Sequence, residues 1–305
     1  MKPRTYATPA GFKAALEQRL RNSSNSSKSG VELGRRRQLL VFDRFLARVT
    51  RVLGKAAMLK GGLVLELRLE RARTTRDVDL RLDAPPEETL ARLQEAGRAD
   101  LGDFMTFEIQ ADAQQPEMDF HGTRENGFRY RAECRLAGQI YGQRFGVDVA
   151  FADPVLGEPD VVVAEDVLAF AGIEPPKLRL YPVETHLAEK VHAYTLPRDR
   201  PNSRVKDLPD LALLGTIRLL EATRVRKALQ QTFSFRNTHE LPQSLQAPPV
   251  AWARPYARMA EDDELPWRTL DEVTLAAKAF LDPLLGGARV KSWEPNSWAW
   301  TSVGS

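Results

Sequence analysis

Apolar residues recur at helical spacing near the start of the chain. Phe12, Ala15, Leu16 and Leu20 mark a short amphipathic helix over residues 9–20. The Ser- and Asn-rich run 22–30 reads as a flexible linker. Leu39, Phe42, Leu46, Val49 and Leu53 predict a second helix over 33–53. The texture then changes. A short strand over 56–59 leads into Gly61-Gly62, which opens a helix to about Leu69. Residues 77–82 alternate apolar and polar and predict a strand; Pro85-Pro86 starts a helix to about Arg98. Three further strands are expected over 104–111, 127–137 and 144–151. From about residue 163 helices dominate, over 163–171, 184–196, 205–214, 217–232 and 269–285. The tail from Trp293 is expected to pack on a neighbour or fray. No internal repeat is present. The pattern predicts an α+β protein in three parts. These are an N-terminal helix with its linker (1–32), an α/β domain (33–160) and a mostly helical domain (161–305).

Composition narrows the function classes. One cysteine, Cys134, excludes an internal disulfide and any multi-cysteine zinc site, and is read as a packing residue. The four histidines lack metal-binding spacing, and no apolar run is long enough to span a bilayer. The first residues lack the apolar stretch of a signal peptide, so a cytoplasmic protein is expected. The net charge of +3 conceals an asymmetry. Residues 1–60 hold 14 basic and 3 acidic residues, which is +11, leaving −8 for the rest. A basic start suits a polyanionic partner such as nucleic acid. Arg37, Arg44, Arg48, Arg51 and Lys55 follow helical spacing on the second helix and are the candidate phosphate contacts.

The strand over 77–82 places Asp77, Asp79 and Arg81 on one face and Val78, Leu80 and Leu82 on the other. Two carboxylates so placed can converge on a divalent cation. Arg73, Thr75 and Arg76 precede the pair and suit a triphosphate. Lys60-Gly61-Gly62 forms a strand-to-helix turn where backbone can approach a phosphate. Asp148 stands on the polar face of the 144–151 strand. Asp77, Asp79 and Asp148 together match the acid set that holds Mg²⁺ for nucleotidyl transfer.

Gly-Gly, then D-x-D, then a third Asp on a later strand resembles the DNA polymerase β-like nucleotidyltransferase superfamily. Within it the chain is most similar to the AbiEii family of toxins, which includes the mycobacterial MenT toxins. The motifs are Lys60-Gly61-Gly62, residues 73–79, Gly127-Phe128-Arg129-Tyr130, residues 188–193 and residues 204–211. The superfamily's Gly-Ser is Gly61-Gly62 here, so Thr75 becomes the candidate hydroxyl at the phosphate turn. The resemblance implies a mixed-sheet nucleotidyltransferase domain followed by a helical one. It implies Mg²⁺-dependent transfer of a nucleotide from an NTP to the 3′ end of tRNA, which would inhibit translation. It makes Lys190 a triphosphate ligand and Asp207 or Asp210 an essential acid. His192 is read as a structural hydrogen-bond partner. The implied genetic partner is an AbiEi-like antitoxin that forms no tight complex. Two alternatives stay open: a small-molecule or protein hydroxyl as acceptor, and an inactive nucleic-acid-binding relative.

Overall fold

The structure is a computed structural model that describes residues 5–23, 30–69, 75–119, 126–151, 154–198 and 204–302. The first half runs α1 (Pro9–Ser23), α2 (Gly30–Leu53), β1 (Ala57–Lys60), α3 (Gly61–Arg68), β2 (Asp77–Leu82) and α4 (Thr89–Arg98). Strands β3 (Met105–Ala111), β4 (Glu117–Asp119), β5 (Asn126–Leu136), β6 (Gln139–Ile140) and β7 (Phe145–Ala150) follow, then β8 (Asp160–Val163) and β9 (Lys177–Leu180). The second half comprises α5 (Val183–Thr195), α6 (Asp207–Leu214), β10 (Leu220–Glu221), α7 (Ala222–Arg236), α8 (Ala253–Asp262) and α9 (Leu270–Leu285). Strands β11 (Val290–Glu294) and β12 (Ala299–Ser302) end it.

One mixed sheet organises the first half, in the order β3-β5-β7-β2-β1-β9-β8, with β4 and β6 also paired to β5. Strands β2 and β7 are parallel, as are β1 and β9; β1 and β2 are antiparallel. Alternation decides which face is covered. Val78, Leu80, Leu82, Val147 and Val149 are buried in one core with residues of α1, α2 and α4. Asp77, Asp79 and Arg81 are left on the other face, partly accessible. A second core joins Leu65 of α3 to α5–α9 and Trp293. No helix among the described residues is long and apolar enough to cross a membrane.

Several expectations are corrected. Residues 163–171 are not a helix: only Ala169–Ala171 form a short 3-10 turn. Val161-Val162-Val163 is a β-branched run that pairs with β9, and β9 pairs in parallel with β1. The sheet therefore continues past residue 160, to residue 180. Helix α1 packs into the first core, where Phe12, Leu16 and Leu20 are buried. Residues 24–29 of the expected linker lie outside the described residues. The tail forms a hairpin whose indoles donate to the helical half: Trp293 Nε1 to Gly215 O at 2.7 Å and Trp300 Nε1 to Phe280 O at 2.7 Å.

Candidate active site

Strand register builds the site. Asp79 on β2 pairs with Lys60 on β1 and with Asp148 on β7, and Asp148 pairs with Arg129 on β5. Four charged side chains from four adjacent strands thus form one row across the open sheet face. Strand spacing near 4.8 Å brings them within electrostatic reach. Burial raises the Asp79 carboxyl above its ordinary range. The charges of Asp148 and Asp77 add to that rise, while Lys60 and Lys190 oppose it. Mutually repelling carboxylates of this kind suit a hard divalent cation.

The details depart from a ready three-acid cage. Asp148 has both oxygens taken by Arg129: Nε donates to Oδ1 at 2.7 Å and Nη2 to Oδ2 at 2.6 Å. That pair raises the Arg129 guanidinium pKa still further. Asp77 Oδ1 accepts from Gly146 N at 3.2 Å. Among the described residues, no group of three His, Cys, Asp or Glu side chains is gathered closely enough to enclose an ion.

The strand-to-helix turn presses on the acids. Gly61 has φ +70° and begins α3; a Cβ there would lie 1.9 Å from Asp79 Oδ2. No side chain other than glycine's fits both that conformation and that approach. Lys60 forms an ion pair with Glu189 at 3.2 Å. Thr75 is buried: its N–H donates to Glu66 Oε2 at 3.2 Å and its hydroxyl to Asp77 O at 3.3 Å. It therefore shapes the approach to Asp77. Arg76 is exposed, and Arg73 lies outside the described residues.

Helices α5 and α6 bring the second group of candidates. Lys190 Nζ donates to Asp207 Oδ1 at 3.0 Å and Asp210 Oδ2 at 2.8 Å, and both carboxylates are buried. Asp207 also pairs with Arg204 at 2.6 Å. Both acids thus hold Lys190, and i, i+3 spacing aims them from one helix face. Sequence reasoning missed Glu189, which links Lys60 to Arg236 at 3.8 Å. It also missed Arg129 as the partner of Asp148. The signal for each was a charged residue inside a motif already singled out. His192 Nε2 lies 2.7 Å from Thr238 Oγ1, a structural contact. Burial pushes the Cys134 thiol up to about 12, as fits a packing residue.

The basic row on α2 is corrected. Arg44 and Arg48 are 2% and 0% exposed. Arg44 Nε donates to Asp103 Oδ2 at 2.7 Å, and Arg48 spans both Asp103 oxygens at 2.9 and 2.5 Å. Their cations neutralise a buried acid and meet no external phosphate. Arg37 is held by Glu17 at 2.9 and 2.7 Å. Arg51 and Lys55 remain exposed.

Comparison with known proteins adds a family to this geometry. Among solved structures the chain is similar to MenT4, a nucleotidyltransferase toxin from Mycobacterium tuberculosis. Identity is 16% over 71% of this chain and 68% of that one, with a TM-score of 0.49. It is also similar to JHP933 from Helicobacter pylori, with 15% identity over 82% of this chain and 92% of that one and a TM-score of 0.43. No curated protein matches the sequence. The family model for the nucleotidyl transferase AbiEii toxin of type IV toxin–antitoxin systems matches residues 44–292. That span contains the whole acid row and both of its flanking lysines, and the chain belongs to the AbiEii nucleotidyltransferase toxin family.

Proposed function

We propose that this protein is a Mg²⁺-dependent enzyme that transfers a nucleotide from an NTP to the 3′ end of tRNA and so inhibits translation. The observation that carries the reading is the row of Lys60, Asp79 and Asp148 in register on three adjacent strands, with Gly61 against Asp79. Asp77 and Asp79 would hold Mg²⁺, since both present carboxylates on the same strand face. The bound ion would supply charge neutralisation at the triphosphate. Gly61 and Gly62 begin α3, whose N-terminal N–H groups and dipole favour an anion, beside Asp79. Lys60 and Lys190 are cations held in place by Glu189 and by Asp207 with Asp210, so they need little reorganisation to meet developing charge. The 3′ hydroxyl oxygen bonds to the α-phosphorus, the bond to the bridging oxygen breaks, and pyrophosphate leaves; the hydroxyl proton passes to solvent. NTP and tRNA as substrates place the reaction in the cytoplasm, with an AbiEi-like antitoxin as the genetic partner.

The test is incubation with total tRNA, Mg²⁺ and each labelled NTP in turn. Label should appear on RNA with at least one NTP and vanish on chelation. Label on protein or small molecules alone would move the acceptor. No label with any NTP would overturn the reading.

A further inference from the structure

We infer that Asp148 is not a ligand of the divalent cation, and that Arg129 serves as a built-in second cation beside a one-ion site formed by Asp77 and Asp79. The inference rests on the proposed metal-binding role of those two acids.

Three observations carry it. First, each oxygen of the Asp148 carboxylate already accepts from a cation: Arg129 bridges both at 2.7 and 2.6 Å in the fork geometry that guanidinium and carboxylate prefer. Second, the pair is fixed by the fold. Arg129 and Asp148 face each other directly in the β5–β7 register, so neither long reach nor loop movement is needed to form the contact. The neighbouring cation of that strand face, Arg131, is committed elsewhere, to Asp112 at 2.6 Å. Third, the acid row is charge-graded. Lys60 stands beside Asp79 at one end and Arg129 caps Asp148 at the other, which leaves Asp77 and Asp79 as the neighbouring pair that a single divalent ion would neutralise.

A guanidinium cannot lose its proton in this setting, so Arg129 is a permanent positive charge. It would hold Asp148 rigid and supply, at the sheet, the positive charge that a second ion brings in a three-acid, two-ion arrangement. Arg129 then acts through electrostatics and as a positioning residue for Asp148.

The experiment is Mn²⁺ binding to the full chain, followed by the spin-resonance signal of the free ion, without nucleotide or RNA. The wild type should bind one Mn²⁺. Asp79→Asn should weaken that binding more than about tenfold, beyond the lower end of what loss of an outer-shell partner costs. Asp148→Asn should leave the affinity of that ion within about threefold, well under the same bound. Arg129→Met, which keeps length but removes charge and fork, should admit a second Mn²⁺ by freeing Asp148. Wild-type binding of two ions overturns the inference, as does an Asp148→Asn variant that loses Mn²⁺ as Asp79→Asn does. An Arg129→Met variant that still binds a single ion overturns the role given to Arg129. Unchanged binding in Asp79→Asn instead overturns the underlying reading of the acid pair, a result separable from the others because it does not involve Asp148.

Discussion

Two glycines set the position of the acids, and they make different predictions. Gly61 combines a positive φ with close approach to Asp79 Oδ2. Gly61→Ala should lose about 1–2 kcal/mol from the backbone alone and displace the carboxylate as well. Gly146 lacks the positive φ, and a Cβ there meets the Asp77 side chain, with Oδ1 at 2.6 Å and Cγ at 3.3 Å. Gly146→Ala should therefore reduce nucleotide transfer with a smaller change in melting temperature. Wild-type transfer by Gly61→Ala would show that Asp79 has no need of its present position. A third residue, Asp43, predicts a pH effect. Burial pushes its carboxyl up to about 7, against the pull of Arg44 and with Glu165 and Asp103 adding. The fold thus favours the neutral form. Whatever stability Asp43 contributes is complete below the ordinary carboxyl range and is lost as pH rises to about 7. Asp43→Asn should match the wild type near pH 4 and be more stable at pH 8. The gain should be roughly 1–3 kcal/mol, discounted because the side chain keeps some contact with water. Denaturant midpoints at the two pH values measure it; an equal difference at both would remove Asp43 as the cause.

At the scale of elements, the sequence was most legible where periodicity and burial agree. Strand β2 starts and ends where the alternation of residues 77–82 places it, because a one-residue slip would bury Asp77, Asp79 and Arg81. The placement of Asp77, Asp79 and Asp148 on strand faces was legible for the same reason. Their neighbours were not, since register between β1, β2, β7 and β5 comes from tertiary pairing; Arg129 could not be seen opposite Asp148. Strands β8 and β9 are four residues each and flank a Pro-containing loop, too short for a period to emerge. The α2 row failed for a different reason. An arginine and a neighbour four residues on share a face whether that face is wet or buried, and here it meets the buried Asp103, 55 residues after Arg48. The C-terminal hairpin carries the prediction at this scale. Trp293 is fully buried, lies tilted against Phe280 and donates to Gly215 O. Trp293→Ala should cost about 3–5 kcal/mol. It should also expose α9 to limited proteolysis; a variant that resists protease like the wild type would make the hairpin an ornament on the helical half.

Across the whole molecule, the +11 of residues 1–60 overstates what an RNA can touch. Arg37 is spent on Glu17, and Arg44 and Arg48 on Asp103 inside the first core. Of the α2 row, Arg51 and Lys55 are the exposed members. If these two meet RNA phosphates, the log–log slope of tRNA affinity against salt should fall by about 1.4–1.8 in the Arg51→Gln, Lys55→Gln double variant. All tRNAs should weaken alike, because phosphates carry no sequence information. Arg48→Gln should behave differently. It strands Asp103 with Arg44 alone in a buried setting, and breaking such a group costs about 3–5 kcal/mol of stability. Burial is the largest single influence on Asp103 and opposes its ionisation. The hydrogen bond and charge of Arg48, with the charge of Arg44, outweigh it and hold the carboxyl below its ordinary range. The stability this cluster gives is therefore present above the ordinary carboxylate range and lost as pH falls below it. The two variants separate the two meanings of positive charge in this chain. The double variant should shift the salt slope with an unchanged denaturant midpoint, and Arg48→Gln should shift the midpoint with an unchanged slope per folded molecule. A double variant with the wild-type slope would mean that RNA docks away from the end of α2.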